Sequence, residues 1–194
     1  MSKKDIKRKV MRISLLGDSG VGKTSIILKY LFDKFSETQT SSIGIDKNEK
    51  LMKMNDGHEL KVIIWDTAGQ ERFKAMATNT IKGAQGIVLV FDITKKKTFD
   101  SLPNWKKEIK DIKDNIPIIL FGNKCDLLNE AEVDNDEAVK FAKNNEMEYF
   151  ETSAKQNINI EQGFKSIIEK GYEFVQEEDG VDLNKSKKKK KGFC

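Results

Sequence analysis

The chain has 194 residues, 38% hydrophobic and 34% charged, enough for one domain with a buried core. Its formal charge of +4 sits at one end, because removing the six lysines at 185 and 187–191 leaves −2 for the rest, and this excludes a broad basic face for nucleic acid on the globular part. Two cysteines, Cys125 and Cys194, do not make a disulfide framework, no apolar run can span a bilayer, and the basic residues 1–9 lack the apolar centre of a secretion signal, so a cytosolic protein is expected.

In chain order, residues 10–16 read as a strand and 25–31 as a helix. Between them stands Gly17-Asp18-Ser19-Gly20-Val21-Gly22-Lys23-Thr24, the G-x-x-x-x-G-K-[ST] pattern of a phosphate-binding loop. Glycines let the backbone wrap a polyphosphate with its N–H groups turned inward. Lys23 supplies a cation to the β- and γ-phosphates, and the Thr24 hydroxyl can ligate Mg²⁺. Ser19, Gly20, Val21, Gly22 and Ser25 complete the candidate phosphate cradle, at the positive end of the following helix.

Residues 32–46 are rich in Ser and Thr and read as an exposed loop. Residues 47–54 and 58–66 flank Asn55-Asp56-Gly57, which predicts a hairpin and the one antiparallel pairing of the sheet. Residues 86–92 and 116–122 are short apolar runs, expected as strands buried on both faces. Phe99, Leu102, Trp105, Ile109 and Ile112 fall at helical spacing, as do Ala138, Phe141 and Ala142, with Asp134 and Glu137 placed to cap the second helix. Trp105 is expected in the core. Residues 148–152 are the expected last strand, and Ile160, Phe164, Ile167, Ile168, Gly171 and Val175 stripe a closing helix. The alternation of strands and helices predicts a three-layer α/β fold with a six-stranded, mostly parallel sheet and the ligand at the strand C-terminal edge. The domain is expected over 10–176, after a basic extension at 1–9 and before a polar, lysine-rich tail at 177–194.

Three further stretches bear on the ligand. Asp66-Thr67-Ala68-Gly69-Gln70 follows a strand. An acid at that place can hold Mg²⁺ through water, Gly69 lets a backbone N–H approach the terminal phosphate, and Gln70 can orient an attacking water. Asn123-Lys124-Cys125-Asp126 follows another strand. The Asp126 carboxylate can accept both N1–H and the 2-amino group of guanine, a donor pair that adenine lacks. The Asn123 amide can bond the base edge or hold the neighbouring loops, and the Lys124 stem can lie over the ring. Ser153-Ala154-Lys155 follows the last strand, where the Ala154 N–H is positioned to meet the guanine carbonyl.

Taken together, these motifs resemble the small Ras-like GTPases over residues 10–176, and most of all the Rab group. Lys61-Val62-Ile63-Ile64-Trp65-Asp66-Thr67-Ala68-Gly69-Gln70-Glu71-Arg72-Phe73 resembles the Rab second switch, Ser42-Ile43-Gly44-Ile45-Asp46 the end of the first, and Leu89-Val90-Phe91-Asp92-Ile93-Thr94 the strand that follows the second. The resemblance implies a GTP/GDP switch with Mg²⁺ held by Thr24, Ser42 and Asp66, slow GTP hydrolysis with Lys23 and Gln70 as catalytic groups, and Phe35 leaning on the guanine. It implies a monomer that meets an exchange factor, a GTPase-activating protein, an escort protein or dissociation inhibitor, and effectors at Ile43, Lys47, Trp65, Phe73 and Thr80. It also implies prenylation at Cys194, with the lysine run on an anionic membrane surface, for a protein cycling between cytoplasm and the cytosolic face of a membrane in vesicle trafficking.

The chain departs from that pattern at several positions. Ser42 stands where Rabs usually have Thr, with Thr40 as a competing hydroxyl, and Gln39 replaces a frequent aromatic. Of the aromatic triad that Rabs present to effectors only Trp65 remains, with Lys47 and Thr80 at the other two places, and Cys194 stands alone where two terminal cysteines are usual. The motifs admit two other readings: a GTP-bound scaffold that does not cycle, which Gln70 argues against, and a P-loop nucleoside kinase, which the Asn123–Asp126 and Ser153–Lys155 stretches argue against.

Overall fold

The computed structural model describes residues 8–36, 45–54, 57–67 and 74–175. Gln39, Thr40, Ser42, Ile43, Gly69, Gln70, Phe73, the tail lysines and Cys194 lie outside these described residues. The sheet is built from β1 (Arg8–Leu16), β2 (Ile45–Lys53), β3 (Glu59–Thr67), β4 (Gly86–Asp92), β5 (Ile118–Asn123) and β6 (Glu148–Thr152), in the spatial order β2-β3-β1-β4-β5-β6. β2 and β3 pair antiparallel, from Ile45 opposite Thr67 to Lys53 opposite Glu59, and every other neighbouring pair is parallel. The helices are α1 (Lys23–Phe32), α2 (Lys74–Gly83), α3 (Lys96–Asp100), α4 (Leu102–Ile112), α5 (Asn135–Asn144) and α6 (Ile160–Tyr172).

The two-residue period of the strands sorts the core into two layers. Met11, Ile13, Leu15, Val88, Val90 and Phe121 face α1 and α6, where Ile26, Ile27, Phe164, Ile167 and Ile168 meet them. Ile87, Leu89, Phe91 and Leu120 face the other way, onto Ile81 of α2, Leu102 and Ile109 of α4, and Ala138 and Ala142 of α5. β4 is buried along its whole length, which is why it reads as a continuous apolar run. Phe91 anchors the second layer, with Phe99 edge-on at 5.1 Å, and its burial contributes about 2–3 kcal/mol.

Several boundaries differ from expectation for local reasons. β5 starts at Ile118, because Pro117 has no N–H to give a ladder, although its carbonyl still accepts from Ile87 N at 3.0 Å. The helix expected through Phe99 and Ile112 is two helices. Pro103 opens α4, so the chain breaks at Ser101; a proline ring tolerates the first turn of a helix but not its interior. At α5, Asp134 is the cap, accepting from Asp136 N at 2.8 Å, whereas Glu137 turns outward to Lys96 at 2.5 Å.

The strand order reverses direction at β1. From the C-terminal end of β1 the chain leads first to β2 and β3 on one side, then to β4 on the other. That reversal opens a crevice at the strand ends, the usual place for a ligand in an open α/β sheet.

Candidate functional site

Residues 17–22 connect β1 to α1 in this crevice. Gly17 (φ +137°) lies against the backbone of β4, so close that a Cβ there would fall 2.1 Å from the Val90 carbonyl oxygen. Gly22 caps α1 in the left-handed region, with no side-chain cap. The N–H groups of the first helical turn have no intrahelical partners, so the N-terminus of α1 faces the crevice as an anion site. Ser19 and Gly20 are exposed at the loop's crest, while Val21 is buried beneath it.

Lys23 is 5% exposed, and its ammonium donates to the carbonyls of Gly17 and Asp18, both at 2.8 Å. Burial pushes its pKa down to about 8, against the pull of the nearby Asp66 and Asp18 carboxylates. The ammonium is thus folded back over its own loop, at the N-terminus of α1. Beside it, Thr24 Oγ1 donates to Asp66 Oδ2 at 2.6 Å. A hydroxyl and a carboxylate brought together at a helix N-terminus are hard oxygen donors of the type Mg²⁺ takes alongside phosphate oxygens, so these residues fit that ion. Ser25, in the same turn, is half-buried.

The second half of the site lies at the ends of β5 and β6. Asn123 is buried, and its Nδ2 donates to the Val21 carbonyl at 2.8 Å. Of the two roles open to it, this geometry has it holding the phosphate loop. Its Oδ1 faces the Ala154 N–H and the Thr152 hydroxyl at a long 3.4 Å. Ser153 Oγ donates to Asp126 Oδ1 at 2.6 Å, which orients the carboxylate and leaves Oδ2 for another donor. Lys124 takes a left-handed backbone (φ 71°), and its ammonium stands 2.6 Å from Asp92 Oδ2. Lys155, next to Ala154, is exposed, and so is Phe35, just past the end of α1. Two stretches more than a hundred residues apart are thus bonded into one unit, the glycine-rich loop and the end of β5 that carries Asp126.

Comparison with known proteins gives the family. The Ras family profile matches residues 12–173. The Ras-related protein Rab-13 of Canis lupus familiaris is 42% identical over 159 residues, covering 81% of this chain and 78% of that protein. Rab-1D of Dictyostelium discoideum is 41% identical over 195 aligned positions, covering 94% and 95%. Rab-18-B of Danio rerio is 36% identical, covering 95% and 93%. The chain belongs to the Rab group of Ras-family small GTPases.

This Rab-type GTPase therefore binds guanine nucleotide and hydrolyses GTP, and it belongs to the machinery of membrane trafficking. Among its described residues no helix is long and apolar enough to cross a membrane.

The face expected to meet effectors needs one correction. Trp65 is half-buried on β3, directly across from Lys47 on β2, and Lys47 is exposed and paired with Glu49 at 2.6 Å, which Lys61 also holds at 2.7 Å. Thr80, however, is not on the surface. It is 3% exposed on the inner face of α2, its Oγ1 lies 2.9 Å from Ser14 Oγ, and it donates to the Ala77 carbonyl at 2.9 Å. A short hydroxyl side chain finds buried partners there. Thr80→Val, nearly the same volume, is expected to leave the Ser14 hydroxyl buried without this partner and to cost about 1–3 kcal/mol in urea unfolding. A change below about 0.5 kcal/mol, the range for surface substitutions, would return Thr80 to the surface.

Proposed function

We propose that this Rab-type GTPase is a cycling switch whose nucleotide is read by Asp126 and whose phosphates are held by residues 17–25. The observation that carries the reading is the Asp126 carboxylate, fixed by Ser153 at 2.6 Å, in one bonded unit with a phosphate loop that Asn123 holds at Val21. Mg²⁺, held by Thr24, Ser42 and Asp66, would neutralise phosphate charge when bound. Lys23 adds its ammonium at the same place. Gln70 orients the attacking water, and Phe35, Lys124 and Ala154 line the base. Competition binding tests the reading: GTP should displace a fluorescent GDP far better than ATP does, and equal competition by the two would sink it.

Replacing Gln70 by Leu is expected to leave GDP affinity unchanged and to slow single-turnover phosphate release roughly a hundredfold, since a misplaced reactant costs about that much. A rate equal to the wild type's would remove Gln70 from the mechanism. In the wild-type cycle GTP orders residues 38–46 and 69–80, and effectors read that surface at Ile43 and Phe73, together with Lys47 and Trp65 beside it. An exchange factor, a GTPase-activating protein and an escort protein or dissociation inhibitor complete the cycle.

The tail supplies the membrane contact. One prenyl chain on Cys194 gives only reversible binding, so the six lysines act as the second signal on an anionic leaflet, each worth about 1 kcal/mol. Flotation of the lipidated protein should favour anionic over neutral liposomes, and equal recovery with both would contradict the role given to the lysines.

A further inference from the structure

Among the described residues, side chains from elsewhere in the fold bond to residues 17–22 at Val21 and at Asp18. Val21 is held by Asn123. At Asp18 the carboxylate reaches the α3–α4 junction. There Trp105 Nε1 donates to Asp18 Oδ1 at 2.8 Å, and the Ser101 hydroxyl lies 2.9 Å from Asp18 Oδ2 and 2.9 Å from the Thr98 carbonyl. Both oxygens of one carboxylate are thus taken by two groups more than 80 residues further along the chain.

The break at Pro103 makes this possible. It leaves Ser101 in the gap between α3 and α4, and Trp105, four residues on, faces the same way from the first turn of α4. The rest of the Trp105 side chain packs against the second core layer, so the indole is rigid and its N–H has a fixed aim. The backbone carbonyl of Asp18 is also one of the two acceptors of the Lys23 ammonium. A single residue therefore joins α4, on its side chain, to the phosphate-binding lysine, on its main chain.

We propose that Trp105 and Ser101 are positioning residues for the nucleotide: acting through Asp18, they hold the phosphate loop in its binding shape and so lengthen the residence time of GDP and GTP. The proposal rests on the guanine-nucleotide reading given above. Both act at one remove, on the side chain of Asp18. Their effect is to prevent the loop from relaxing outward, which would move the Asp18 carbonyl, and with it the resting place of Lys23, away from the anion.

The test is the dissociation rate of a fluorescent GDP from the full chain, read in a double-mutant cycle. Trp105→Phe keeps the packing and removes the donor, and it is expected to speed release about tenfold, the effect of losing one hydrogen bond to a charged acceptor. Asp18→Ala is expected to do at least as much. In the double variant release should be no faster than with Asp18→Ala alone, because Trp105 then has nothing to act through. A merely structural tryptophan would instead give effects that multiply. Should Trp105→Phe not fold, the same cycle run with Ser101→Ala is expected to give about a threefold increase that vanishes in the Asp18→Ala background. Unchanged release in the single variants, or multiplying effects, would overturn the proposal. A wild type that binds no GDP at all would overturn the guanine reading itself, and the positioning role with it.

Discussion

Asp126→Asn should lower GTP affinity about a thousandfold while improving binding of xanthosine triphosphate. The carboxylate offers acceptors to the two guanine N–H donors, and each such bond to a charged group is worth about 1.5–3 kcal/mol. The amide would turn one acceptor into a donor facing the 2-amino group, an arrangement that repels guanine and suits a carbonyl in the same place. The Ser153 hydroxyl, bonded to Asp126 Oδ1 at 2.6 Å, can keep donating to the amide oxygen. That leaves the amide NH₂ for the ligand and sharpens the switch. Competition titrations with GTP, ATP and XTP measure it. If the variant still prefers GTP to XTP, Asp126 is not the group that reads the base.

Gly17→Ala should cost more stability than any other single methyl group added to the phosphate loop, above about 4 kcal/mol. Two faults coincide at this position. Its φ of +137° lies outside the range open to residues with a side chain, and the new Cβ would fall 2.1 Å from the Val90 carbonyl oxygen in a strand buried on both faces. The neighbour is backbone, so neither side can yield without separating β1 from β4. Costs of this size come from few mechanisms, and strain with overpacking is one. Gly20→Ala is the internal comparison. Gly20 also has a positive φ, +79°, but nothing lies within 4 Å of its Cβ position, so only the left-handed conformation is penalised, by about 1–2 kcal/mol. Urea unfolding of the two variants separates close approach from conformation. Equal losses would mean that Gly17 does not press on β4.

Pattern alone determined the architecture of this protein. The unbroken apolar run of β4 and the helical stripe of α6 each state which faces must be buried, and burial dominates the energetics. The hairpin signal at Asn55-Asp56-Gly57 determined the one antiparallel pair. The phosphate-loop pattern and the Asn123-Lys124-Cys125-Asp126 stretch can be located in the sequence, because each motif lies in residue type and in spacing within a few positions.

Only the tertiary structure decided which of those residues touch across the fold. Asn123 could have faced a base or a loop, and it holds Val21 because β5 ends beside the phosphate loop. The resemblance places Thr80 on the effector surface, yet it turns inward to Ser14, since a short polar side chain on α2 gains a buried partner there. Trp105 had helical spacing and was expected in the core, which is true of its ring but not of its N–H. A stripe of apolar positions gives the direction of a face, not the aim of a single polar atom on it. That aim depended on the break at Pro103 and on Asp18, 87 positions earlier in the chain, and a contact across that distance leaves no periodic mark in the sequence.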